Sequence, residues 1–104
     1  MYIAMNRFRI VIGHEEAFEA VWKNRDSSLA EMPGFQSFSL LRGEAFPEEG
    51  YTLFASYSAW ESKDAFMAWT RSENFRQAHR NATDSKAMYM GPPKFEGFSV
   101  VVGA

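Results

Sequence analysis

Three side chains in this 104-residue chain have a chemistry out of keeping with the sequence around them. Asn6 alternates with Ala4 and Phe8, so the two-residue period of a strand puts its amide on an apolar face. A buried amide without partners costs about 1–3 kcal/mol, so either nearby backbone satisfies it or it awaits a ligand. His79 falls at helical spacing with Phe75, Ala78 and Ala82, a largely apolar stripe. There it is either a hydrogen-bonded core histidine or a metal ligand, and neutral imidazole suits iron. Trp69 stands ten residues before His79 on another apolar stripe, as core or as the wall of a site.

Other chemistries lack their residues. Cysteine is absent, which removes disulfides, thiolate nucleophiles and Cys-based metal centres together. Neither G-x-G-x-x-G nor G-x-x-x-x-G-K-[ST] occurs, and no G-x-S-x-G elbow is present. His14-Glu15-Glu16 starts like a zinc-protease motif, but no second histidine follows at the next turn; two histidines cannot form a three-His zinc site. His14 reads as surface, Glu48 and Glu49 as solvated loop residues, and Trp22 and Trp60 as core. Lysine plus arginine total 11 against 13 acidic residues, a net charge of −2, so the basic footprint of a nucleic-acid binder is missing. No apolar run approaches the roughly 18–20 residues of a membrane span, and Met1 to Arg9 lacks the apolar core of a secretory signal. A cytoplasmic protein without nucleic-acid or membrane partners is expected. Aromatic residues reach 16%, enough to fill a small core or to hold a flat apolar ligand.

The elements that must position these residues follow from periodicity. Tyr2 to Ile12 alternates as a half-buried strand, and Gly13 breaks it. His14 to about Ala30 reads as a helix, with Phe18, Val21, Trp22 and Leu29 on one stripe and Glu15 and Glu16 in its first turn. Pro33-Gly34 is a turn. Phe35 to Leu41 is a second strand, Gly43 to Gly50 a loop, and Tyr51 to Trp60 an aromatic third strand. Ser62 is the expected N-cap of a helix from Lys63, with Ala65, Phe66 and Trp69 on one face and a break near Arg71. Ser72 would cap a second segment carrying Phe75 and His79. After an irregular connection, Lys94 to Val102 is the last strand. The β-α-β-β-α-β order predicts a ferredoxin-like α+β sandwich with an antiparallel sheet. Its uncovered face carries Tyr51, Leu53 and Tyr57, which a homodimer packed sheet against sheet would bury.

Asn6, Trp69 and His79, in that order, resemble the site of the IsdG-type haem-degrading monooxygenases, within the dimeric α+β barrel superfamily of antibiotic-biosynthesis monooxygenases. The likeness spans nearly the whole chain: Met5-Asn6-Arg7-Phe8, Pro33-Gly34-Phe35, Trp60-Glu61-Ser62-Lys63, Ala65-Phe66, Trp69, and Phe75 with Ala78-His79. The Pro-Gly-Phe and Trp-x-Ser segments belong to the wider superfamily; the three site residues are the specific part. The resemblance implies one antibiotic-biosynthesis-monooxygenase (ABM) domain over residues 1–104 and a dimeric barrel. It implies haem as both substrate and cofactor, opened with O2 and external electrons from a separate reductase or small reductant, with release of iron. His79 would be the proximal iron ligand. Asn6 would hydrogen-bond on the opposite side, and Trp69 would press the tetrapyrrole into a ruffled shape. Phe66 and Phe75 would wall the pocket, and Arg25 or Arg80 would meet the propionates. Two other functions suit the same fold: a cofactor-free quinol or polyketide monooxygenase, and a non-catalytic haem-binding protein.

Overall fold

The structure, a computed structural model, describes residues 1–24, 29–73, 75 and 87–103. Its elements run β1 (Tyr2–Val11), α1 (Glu15–Lys23), a 3-10 turn (Leu29–Glu31), β2 (Phe35–Phe46), β3 (Tyr51–Trp60), α2 (Lys63–Thr70) and β4 (Lys94–Ser99). The four strands form one antiparallel sheet in the order β2-β3-β1-β4. This is the ferredoxin-like α+β fold expected from the order of elements.

The central pair β1 and β3 is in unbroken register from Tyr2 opposite Trp60 to Val11 opposite Tyr51. Even-numbered residues of both strands therefore share one face, and that face meets the helices. Two apolar clusters form there. One contains Tyr2, Ala4, Trp60 and Trp69, with Leu29, Met32, Phe35, Ala65, Phe66 and Phe75 packed against it. The other contains Phe8, Ile10, Phe18 and Phe54, with Trp22, Leu40, Met88 and Tyr89 against it. α2 thus covers one end of the sheet and α1 the other. Each aromatic or large aliphatic side chain so buried contributes roughly 1.5–3 kcal/mol.

Local chemistry sets the helix ends. Ser62 Oγ accepts a hydrogen bond from the Ala65 N–H at 3.1 Å, the N-cap expected at that position. Gly34 (φ 82°) turns the chain just before β2; a Cβ there would lie 2.6 Å from that of Ala65, so only glycine lets the turn sit against α2. α1 is anchored through Glu15. Its Oε1 accepts from the Gly13 N–H and its Oε2 from the hydroxyl of buried Thr52, both at 2.8 Å.

Three boundaries differ from the sequence reading. α1 stops at Lys23 with Asn24 as C-cap, and Leu29 fits the helical period yet belongs to the 3-10 turn. Asparagine is a weak helix former and favours such ends. β2 continues to Phe46 through a bulge between Arg42 and Ala45, leaving only residues 47–50 as the turn. β2 is an edge strand, where Glu44 and Gly43 are tolerated because one side faces solvent. β4 ends at Ser99: β1 begins at Tyr2, so beyond the Val100 N–H, which bonds Met1 O, no partner strand remains. The sheet's second face is uncovered, and Leu41 and Phe98 on it are 42% and 48% exposed. Among the described residues, no helix is long and apolar enough to cross a membrane.

The Thr52 hydroxyl above all, then the Glu15 and Gly13 N–H groups and weakly Arg42, hold the Glu15 carboxyl below its ordinary range against a desolvation penalty. A lowered native pKa favours the ionised native state, so this stabilisation is present above the unfolded-chain value and lost as pH falls through the native one. Glu15→Gln is expected to lower the urea midpoint at pH 7. The gap to wild type should close as pH is taken below about 4.3. A gap that stays constant between pH 7 and 3 contradicts this account.

Candidate functional site

Between the two clusters one row of side chains crosses the helix-side face. Pairing sets Leu40 of β2 opposite Ser56 of β3, Ser56 opposite Asn6 of β1, and Asn6 opposite Phe95 of β4. Its middle is polar; the row on one side carries Phe8 and Phe54, and the row on the other Ala4, Ser58 and Phe38. Ser56 is buried and Asn6 half-buried. Neither side chain hydrogen-bonds any described residue, although other side chains nearby are paired. Ser58 Oγ accepts from Trp60 Nε1 at 2.9 Å and donates to Ala4 O at 3.4 Å. Among the described residues, no fully sealed side-chain nitrogen or oxygen lacks a partner. The Asn6 amide and the Ser56 hydroxyl therefore open onto accessible space. Of the two explanations for Asn6, satisfaction by local backbone is not the one observed.

Aromatic rings border this row. Phe95 stacks on Phe66 of α2, with centroids 5.6 Å apart and planes 10° from parallel. Trp69, one turn further along α2, packs on Trp60 at 6.4 Å and 28°. Phe75 meets Trp69 edge-on at 5.4 Å and 83°. Ser72 arranges that contact: its hydroxyl donates to Trp69 O at 2.7 Å and accepts from the Phe75 N–H at 3.1 Å. It caps the segment that follows, as its residue type and position predict. Trp69 is only 6% exposed. It is a core residue, held by its ring contacts with Trp60 and Phe75.

The structure thus sets Asn6 and Trp69 on the same side of the sheet. Asn6 lies two residues from Ala4, about 7 Å along the strand, and Ala4 shares a cluster with Trp69. His79, Arg25 and Arg80 lie outside the described residues. Phe66 meets Phe95 of the row, and both Phe66 and Phe75 pack against the Trp60–Trp69 cluster. Ser56 escaped the sequence reading. The signal was available, a hydroxyl at an even position of β3 between Phe54 and Ser58, but serine is common in strands and stands out only once its partner across the ladder is known. Leu40 also lines a groove of about 350 Å³ between α1 and β2, shared with Trp22, Phe38 and Phe54 and rimmed by Lys23 and by an Arg42–Glu19 ion pair at 2.9 Å. Among the described residues, no group of three or more His, Cys, Asp or Glu could hold a metal ion. The polar side chains at the floor, an amide and a hydroxyl, do not titrate, so the floor can orient a ligand by hydrogen bonding but does not charge with pH.

Residues 1–81 match the family model for antibiotic biosynthesis monooxygenase. The chain belongs to the antibiotic biosynthesis monooxygenase family. Its relatives include the staphylobilin-producing haem oxygenase of Staphylococcus saprophyticus, 27% identical over 89 residues that make up 84% of this chain and 81% of that one. Among solved structures it is similar to the haem degrader MhuD of Mycobacterium tuberculosis, with two haems bound in its active site. That match has a TM-score of 0.76 at 24% identity, over 100% of this chain and 99% of that one. SnoaB, a cofactor-independent oxygenase of Streptomyces nogalater, matches with a TM-score of 0.66 at 20% identity, covering 98% and 95%. Both structural likenesses establish the fold, which haem-degrading and cofactor-independent ABM oxygenases share.

An amide that bonds no described residue adds little to the stability of the fold, and an apolar side chain on the same face would pack at least as well. Asn6→Leu is therefore expected to leave the ligand-free protein as stable as wild type or up to about 1 kcal/mol more stable in urea unfolding. A loss above about 1 kcal/mol would mean that the amide serves the fold.

Proposed function

We propose that this ABM-family protein is a haem-degrading monooxygenase, with haem bound over the Asn6–Ser56 row. The observation that carries the reading is that pair of unpartnered polar side chains, set in a floor otherwise walled by Phe66, Trp69, Phe75 and Phe95. Such a floor fits a flat, largely apolar ligand with one polar point above its plane. The relationship to a staphylobilin-producing haem oxygenase supports the same reading.

Bound haem would supply both the redox-active iron and the ring that is cut, with O2 and electrons from a separate reductase or small reductant as co-reactants. The chain's own work is positioning. His79 would give the iron an imidazole ligand. The Asn6 amide would donate a hydrogen bond to the bound group. Trp69, packed on Trp60 and against Phe75, would present a fixed surface to it. Asn6, Trp69 and His79 are the proposed site residues, with His79 alone on the metal.

Titrating the full chain with hemin is expected to give a shifted Soret band saturating at one haem per chain, and His79→Ala should abolish the shift. Ascorbate under air, with catalase present, should then bleach the band and release iron. No shift in the wild type favours a cofactor-free oxygenase, and a band that survives reduction favours haem storage.

The uncovered sheet face is proposed as the seat of a second copy. Ile3, Met5, Leu41, Leu53, Tyr57 and Phe98 lie on it, and an apolar sheet face left to water is a liability. Sedimentation at micromolar concentration should give twice the 11.9 kDa chain mass. A species of one chain mass alone overturns the dimer.

A further inference from the structure

The Asn6 amide can donate toward a ligand only if its orientation is fixed. A free amide presents carbonyl or NH2 about equally well, and only one of them is a donor. The backbone at Asn6 is committed to ladders on both sides, with β3 and with β4, and the backbone at Ser56 likewise to β1 and β2. The flanking side chains on the same face, Ala4, Phe8, Phe54 and Leu40, offer no polar atom. Ser58, the nearest other hydroxyl, is already occupied by the Trp60 indole and Ala4 O. Among the described residues, what remains is the Ser56 hydroxyl, directly across the ladder. Directly opposed residues hold their Cβ atoms about 4.5–5.5 Å apart, within reach of an amide and a hydroxyl. Ser56 is the more buried of the two and Asn6 the more accessible, so the longer side chain is the one placed to meet a ligand.

We propose that Ser56 is the positioning residue of the site: its hydroxyl donates to Asn6 Oδ1 and so turns the amide NH2 toward the bound ligand. This rests on the haem reading above and adds to it a residue that acts only through another. The two side chains are paired across the ladder without a hydrogen bond between them, and hydrogen bonds of this kind are often long or misaligned until a ligand is bound.

The test is azide affinity of the hemin-loaded protein, because azide takes the open side of the iron and accepts hydrogen bonds from that side. Wild type, Asn6→Ala, Ser56→Ala, Ser56→Thr and the Asn6→Ala/Ser56→Ala double variant are compared by absorption titration. One neutral hydrogen bond predicts that Ser56→Ala weakens azide binding about three- to tenfold. Ser56→Thr, which keeps the hydroxyl, should bind like wild type, and the double variant should bind no more weakly than Asn6→Ala alone. That non-additivity is the signature of action through Asn6, and a purely structural role would not produce it. An unchanged azide affinity in Ser56→Ala overturns the proposal, as do losses that multiply in the double variant. A wild type that takes up no hemin overturns the haem reading and this inference with it, whereas hemin uptake with an inert Ser56 leaves the haem reading standing.

Discussion

The register of β1 on β3 is the constraint on which everything else depends. Ten consecutive residue pairs run without a bulge, and both strands are interior to the sheet. A slip of one residue would turn Tyr2, Ala4, Phe8 and Ile10 to the uncovered face and bring Arg7 and Arg9 under the helices. It would also separate Asn6 from Ser56. The aromatic clusters enforce the register from both ends, because Trp60 opposite Tyr2 and Phe54 opposite Phe8 can be buried only in this alignment. Stability and site geometry are thus decided by the same pairing.

The distribution of order around the site follows from that arrangement. The two core clusters lie at the ends of the strands and leave a polar row between them, so the core is split where a single-core domain of this size would be continuous. The split is unfavourable for a small sheet protein, and the dense ring contacts on either side offset it: Phe18 alone meets Phe8, Trp22, Phe54 and Tyr89. Of the two uses an aromatic excess could have, core is the one these contacts show: the rings stabilise each half of the sheet.

Much of this was legible in the sequence because it rests on local rules. The alternation of Tyr2 to Val11, the Ser62 cap and the Ser72 cap each depend on a few adjacent residues, and each is found where those residues imply. The failures share a different cause. Glu44 and Gly43 look like loop residues, yet they extend β2 because an edge strand answers to one neighbour only. Leu29 keeps the helical period of α1 but packs with the α2 cluster after the helix has ended. Ser56 was invisible because its meaning lies across the ladder at Asn6, fifty residues away along the chain, and periodicity within one strand carries no information about the next.

The same reasoning explains why an ABM fold by itself does not decide the chemistry. A haem degrader and a cofactor-independent oxygenase both have this fold, so fold alone leaves the chemistry to the side chains that interrupt the apolar face. In this chain the interruption is an amide beside a hydroxyl, uncharged and unbonded. An amide and a hydroxyl can orient a ligand by donating and accepting hydrogen bonds, and the direction in which each donates is set by its neighbour across the ladder, so the same strand pairing that builds the core also decides what the floor can offer.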